Sequence, residues 1–175
     1  LARAHLAAVV AAYLVMPVMF AVPFRWAVPD TTFLNAWFEM LSCFTTTGAT
    51  VYEGATRLPD TLHLWRALVG WMGGFFVLLS ALAIMAPMNL GGAEVISGRP
   101  LGRYSNAGWT EAVDPDERIA HHALRIFPVY AGFTLLLWGL LLIAGEPGLS
   151  ALSYAMGTLS TSGIVPEIYR TGSEI

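Results

Sequence analysis

The sequence predicts an all-α integral membrane fold in which a span, a short re-entrant pore helix and a second span form a unit that the chain enters twice. Three observations predict it. Of the 175 residues, 56% are hydrophobic and only 12% charged, whereas a soluble domain carries about 25% charged residues. The apolar residues lie in long uncharged blocks instead of amphipathic stripes. Finally, a hydroxyl-rich stretch containing a glycine recurs after two short apolar helices.

The blocks run over 6–24, 67–90 and 126–144, and the mean hydropathy is +0.62. Each block meets the roughly 20 apolar residues that an α-helix needs to cross a hydrocarbon layer of about 30 Å. Spans are therefore expected over 5–24, 62–88 and 122–145. Arg3 ahead of the first block has the look of a signal peptide, but the run is too long and lacks a small-x-small cleavage site, so it reads as a retained span. The chain starts without Met and stops at Ile175 soon after a glycine-containing loop, as a piece of a longer protein would.

Charge and cysteine narrow the function classes. All 9 basic residues are Arg and none forms a run, which excludes tracking of a phosphate backbone. The expected partner is a lipid bilayer and not nucleic acid. Cys43 stands alone, so there is no internal disulfide or Cys-rich metal site, and it reads as a small buried apolar residue. Arg3 and the arginines of the connection over 91–120 favour a cytoplasmic N-terminus and connection. Arg25, Arg57 and Arg66 lie on the opposite side.

Taken in order, the first unit covers 1–90. After the first span, Pro23 and Pro29 bracket a short connection, and Asp30, Thr31 and Thr32 offer caps for a helix over 31–44. At about 1.5 Å per residue this helix crosses only half a bilayer. Thr45-Thr46-Thr47-Gly48-Ala49-Thr50 follows, then a polar return to the second span. Non-helical backbone at membrane depth survives only by lining a cavity or packing in protein. Asp114-Pro115-Asp116-Glu117 opens the next helix with Pro at its first position. The second unit, over 121–175, repeats the pattern: a span, Glu146-Pro147-Gly148, Ser150 as candidate cap, a helix over 150–159, and a loop over 160–165.

Aligning Gly48 with Gly163 pairs Thr47 with Ser162, Thr46 with Thr161 and Thr45 with Ser160, hydroxyl with hydroxyl. A repeat of about 115 residues implies a pseudo-symmetric assembly in which each copy contributes one sector. The residue types suit a desolvated monovalent cation, whose water shell is replaced by backbone carbonyls turned inward. Glycine permits the turn, hydroxyls add ligands or hold the loop, and helix C-termini direct partial negative charge at the ion. A closed ring needs about four such loops. Two loops therefore imply two further units C-terminal to this chain or pairing of two copies, the former being preferred.

The string Phe38 to Val51, then Leu58-Pro59, Leu64-Trp65-Arg66 and Trp71-Met72-Gly73-Gly74, resembles the first pore repeat of the Trk/Ktr/HKT superfamily of potassium transporters. Leu159-Ser160-Thr161-Ser162-Gly163-Ile164-Val165-Pro166 is similar to the family's second filter, departing from it at Ser162, where a second glycine is common. The resemblance implies potassium uptake through four such units around one central ion pore. Thr46, Thr47 and Gly48, with Thr161, Ser162 and Gly163, would form the selectivity filter, potassium being met at Thr46, Thr47, Thr161 and Ser162. It further implies a multi-pass protein of the bacterial inner membrane, a homodimer of the full-length protein, and a cytosolic nucleotide-binding regulatory subunit of the TrkA/KtrA type. Potassium would be the transported substrate, with no covalently bound cofactor.

Two other classes fit less well. A cation-coupled secondary transporter for another solute usually carries ionisable groups within its spans, and the three apolar blocks have none. A membrane enzyme would need a metal cluster or an activated nucleophile. Thr46 and Ser162 have no evident activating partner in sequence, so the chain reads as a non-enzyme. Glu39 is expected to anchor the filter backbone, Arg66 to pair near Asp60, and Gly70, Gly73 and Gly74 to form a face for close helix approach. Trp26, Trp37, Trp65 and Trp109 suit interface belts, and His121 and His122 a solvated helix start.

Overall fold

The computed structural model describes residues 2–52, 57–85 and 115–164, with side chains over 6–52, 57–82 and 123–164. The expected connection over 91–120 lies outside them as far as residue 114. Val165, Trp109 and the side chains of His121 and His122 also lie outside. Among the described residues five helices follow one another, α1 Ala2–Ala27, α2 Phe33–Phe44, α3 Asp60–Met85, α4 Pro115–Ile143 and α5 Gly148–Leu159. No strand occurs among them. The stretches Leu6–Ala27, Asp60–Leu82 and Ala123–Ile143 are long and apolar enough to cross a membrane. The 12-residue α2 and α5 are not.

Helix ends differ from the sequence expectation for local reasons. The first span was expected to stop at 24, but α1 continues through Pro17 and Pro23 to Ala27. Proline is tolerated inside a span where packing and neighbouring groups satisfy the backbone. Pro17 is fully buried, and the Arg25 guanidinium donates to the Val28 carbonyl at 3.2 Å, closing the helix with a basic group at its negative end. For α2, Thr32 is the cap, its hydroxyl accepting from the Asn35 N–H at 3.2 Å, so the helix begins at 33 and not 31.

The later helices show comparable shifts. α3 starts at Asp60, ahead of the expected 62, because the Pro59 carbonyl accepts from Leu62 N–H at 2.8 Å. α4 opens at Pro115, the helical turns before residue 122 being continuous with the span. It ends at Ile143, where Gly145, at φ 95, lets the Gly145 and Glu146 N–H groups reach the Leu142 and Leu141 carbonyls, both at 3.1 Å. α5 starts at Gly148 with Pro147 in the cap position. Ser150, the expected cap, is instead buried inside the first turn, since the Pro147 carbonyl takes the Ala151 N–H at 2.8 Å.

The first unit is a true re-entry. Thr31, at the start of α2, shares a 2.5 Å hydrogen bond with the Tyr52 hydroxyl on the returning chain, and the Tyr52 ring packs on Phe24 of α1. Leu58 and Leu62 join Val28 in the same buried cluster. Asp30 and Arg57 form an ion pair at 2.6 Å beside this contact. The guanidinium holds the Asp30 carboxyl below the usual carboxylate range. The pair is therefore present above ordinary carboxylate pKa values and is lost as pH falls through the lowered one. Both groups are largely exposed, so the buried Thr31–Tyr52 bond is the stronger tether.

α2 packs against α1 and α3, and α5 against α3 and α4. Phe44, the last residue of α2, fills the centre of the first unit. Its ring meets Tyr13 at 5.5 Å and Phe20 at 5.9 Å from α1, and stacks on Phe76 of α3 at 5.6 Å. Trp37 and Trp65 pack against this core, departing from the interface role expected of them, whereas Trp26 is 78% exposed. Between the units, Trp71 of α3 donates to the Thr134 hydroxyl at 2.9 Å, and the Tyr130 hydroxyl donates to the Trp71 carbonyl at 3.1 Å.

The glycine face of α3 permits this approach. A methyl at Gly73 would collide with the Phe44 carbonyl, and one at Gly74 would stand 2.8 Å from the Ser160 Cβ. At Gly70 it would sit 3.3 Å from the Ser162 hydroxyl and 3.5 Å from the Cys43 carbonyl. Gly73→Ala in the full-length protein is expected to cost about 1–3 kcal/mol by overpacking, read as a lower melting temperature in detergent. Gly132→Ala, where a methyl meets nothing within 4 Å, serves as the control and leaves the melting temperature unchanged or raised.

Candidate functional site

The two loops have the same backbone. In the first, Thr46 and Gly48 take φ 56 and 76, and in the second Thr161 and Gly163 take φ 57 and 64. Thr47 and Ser162, between them, keep ordinary negative φ, which is why Ser162 can stand where a glycine was the family's habit. A β-branched residue in the left-handed region is strained by about 1–3 kcal/mol. Each threonine is held there by its surroundings. Gly48 and Gly163 occupy the same region without that cost.

The hydrogen bonds repeat as well. Thr45, Thr46 and Thr47 N–H groups donate to the carbonyls of Leu41, Cys43 and Ser42 at 2.8, 3.0 and 2.9 Å. Ser160, Thr161 and Ser162 donate to Met156, Thr158 and Gly157 at 3.0, 3.2 and 3.1 Å. The side chains follow suit: Thr45 and Thr47 hydroxyls are bonded at 2.9 Å, and Ser160 and Ser162 hydroxyls at 3.0 Å. Thr45 and Ser160 brace the loops, a part that the candidate site read from the sequence did not include. Their signal was the hydroxyl pairing at equal offset, in which each cap braces the residue two positions on.

What the donors use up on one side leaves acceptors on the other. Among the described residues the carbonyls of Thr45 to Gly48 and of Ser160 to Gly163 accept no hydrogen bond. Buried main-chain carbonyls are nearly always paired. Two consecutive runs of unpaired oxygens, each beginning at the C-terminal end of a half-length helix, form an electronegative surface without a fixed charge.

The loops are brought together. The Ser162 carbonyl lies against Gly48, so close that a methyl there would collide with it. Thr47 and Thr161 are exposed, Thr46 and Gly48 half-buried, and Gly163 exposed along the same edges. Ser162 is buried, its hydroxyl turned to Ser160 and towards Gly70 of α3.

Behind the first loop stands Glu39, fully buried in α2. Its carboxylate meets the Arg66 guanidinium at 2.6 Å and accepts from the Thr50 hydroxyl at 3.0 and 3.1 Å and from the Val51 N–H at 3.1 Å. Asp60, the partner expected for Arg66, is displaced by Glu39 because the helix axis carries Arg66 inward to the face that α2 covers. Thr50 in turn accepts from the Tyr52 N–H at 3.1 Å.

No family model matches the chain. Curated relatives do. The chain is similar to the Trk system potassium uptake protein TrkI of Halomonas elongata, at 31% identity over 143 residues, covering 82% of this chain and 27% of that protein. It is similar to the Trk system potassium uptake protein TrkH of Escherichia coli, at 28% identity, covering 82% of this chain and 29% of that protein. Among solved structures it resembles the crystal structure of the potassium transporter TrkH from Vibrio parahaemolyticus, with a TM-score of 0.65 and 26% identity, covering 90% of this chain and 29% of that one. The chain thus spans 27–29% of the length of these relatives. Over most of its residues the chain is thus similar, in sequence and in fold, to the Trk system potassium uptake proteins.

Proposed function

We propose that the chain forms the first two sectors of a filter through which potassium crosses the membrane. The observation that carries this reading is the pair of matched loops with unpaired carbonyls, held side by side at the ends of two half-length helices. Positive φ recurs at the same two places in each loop, at Thr46 and Gly48 and at Thr161 and Gly163. The carbonyls from Thr46 to Gly48 and from Thr161 to Gly163 act as the ion ligands. Thr46 and Thr161 line the same edge, and the hydroxyls of Thr47 and Ser162 brace the loops through Thr45 and Ser160.

Two sectors leave the ring half closed, so two further units of the longer protein complete it. The relatives named above support potassium as the ion, and the hydroxyl- and carbonyl-rich loops, which carry no charged side chain over 45–50 and 160–164, agree with passive coordination by oxygen. In this reading the protein sits in the bacterial inner membrane, and the arginine bias supports a cytoplasmic N-terminus and 91–120 connection. It works as a homodimer with a cytosolic nucleotide-binding regulatory subunit, which meets that cytoplasmic face.

Rubidium uptake into proteoliposomes bearing the full-length protein tests the assignment. The wild type is expected to carry rubidium in competition with potassium and not with organic solutes. Gly163→Ala adds left-handed strain of about 1–2 kcal/mol and is expected to lower flux about tenfold. Gly48→Ala adds the collision with the Ser162 carbonyl as well and lowers flux further, with membrane insertion retained in both. Wild-type flux and sodium discrimination in both variants would defeat the assignment. Removing one brace by Ser160→Ala is expected to weaken selectivity at a smaller cost, about 1 kcal/mol for one neutral hydrogen bond, measured as the rubidium-to-sodium flux ratio.

A further inference from the structure

We infer that Glu39, Arg66 and Thr50 form a positioning device that sets the ion discrimination of the first filter loop, an inference that rests on the permeation reading above. None of the three offers an atom to the ion. The Glu39 carboxylate sits midway along α2, where it is 0% exposed, and its Arg66 partner on α3 has a side chain 6% exposed. From that position the carboxylate collects the Thr50 hydroxyl and the Val51 N–H, which belong to the chain just beyond Gly48.

Stability does not explain the arrangement. A buried ion pair gains little over apolar side chains of similar volume, and here the Arg66 Nε has no hydrogen-bond partner. Apolar residues, however, offer nothing to a backbone N–H or a hydroxyl. Only an acceptor with two oxygens at this depth can hold α3 with one and fasten the returning strand with both. Arg66 cancels the charge, so the device adds no net charge beside the filter and works through the placement of the Thr46 to Gly48 carbonyls.

The second helix lacks the carboxylate of the first. Tyr154 stands in the second helix at the place corresponding to Glu39. No hydrogen bond from Tyr154 to the second loop occurs among the described residues. The first loop is thus pinned at both ends, by Thr45 before Gly48 and by Glu39 after it. In the second loop the described residues show the pin before Gly163, by Ser160.

The test uses full-length protein in proteoliposomes, with the rubidium-to-sodium flux ratio as readout and melting temperature and insertion as controls. Thr50→Val removes the donor while keeping a β-branched shape, and Thr50→Ser keeps the hydroxyl. Thr50→Val is expected to lower the ratio about tenfold, the scale of one charge-assisted hydrogen bond, at unchanged insertion and melting temperature. Thr50→Ser retains the wild-type ratio. Glu39→Gln lowers it at least as far, and where that variant fails to insert, Thr50→Val decides. An unchanged ratio in Thr50→Val, or an equal loss in Thr50→Ser, overturns the inference while leaving the permeation reading intact. A wild type that carries no rubidium overturns both.

Discussion

A carbonyl oxygen that accepts no hydrogen bond at membrane depth is the constraint on which this structure turns. Leaving such a group unsatisfied costs about 1–3 kcal/mol, and lipid offers no donor. The two loops carry consecutive groups of this kind, and the rest of the fold serves to keep them in place. The half-length helices hold the loop's entry with their last carbonyls, which accept the N–H groups of Thr45 to Thr47 and of Ser160 to Ser162. The hydroxyl pairs Thr45–Thr47 and Ser160–Ser162 brace it from the side. In the proposed filter, a cation arriving at the open edge supplies what such oxygens lack.

The matched left-handed residues make the same point in another way. Thr46 and Thr161 occupy a region that β-branched side chains avoid. Strain of this kind persists only where neighbours over-determine the backbone. Here three N–H bonds and a hydroxyl pair fix each loop, and the neighbouring loop closes the remaining freedom of Gly48. The glycine is required twice over, by its dihedral angle and by the Ser162 carbonyl against it.

Much of this was legible in the sequence. Three uncharged blocks announced the spans, two short helices too brief to cross a bilayer announced the re-entry, and Gly48 and Gly163 announced the loops. The elements left out share a physical reason: they depend on contacts made across the fold. Arg66 is six residues from Asp60 in sequence, yet its partner is Glu39, because helix packing and not proximity along the chain chooses buried partners. Pro23 looked like a break, but a span that is packed on one side tolerates it. Ser150 had the chemistry of a cap, and the rigid Pro147 took the place instead. Thr45 and Ser160 were matched in sequence as hydroxyl with hydroxyl, but the partners of those hydroxyls, two residues on, show only in the fold.

The glycine face of α3 separates two loops yet belongs to both. Gly73 lies on the end of the first pore helix, while Gly70 and Gly74 lie on the second loop. One rigid rod thus serves as the common wall of two neighbouring sectors. Any tilt or slide of that rod reaches both openings in the same instant, so a force applied at its distant end would narrow or widen them as a pair and never singly.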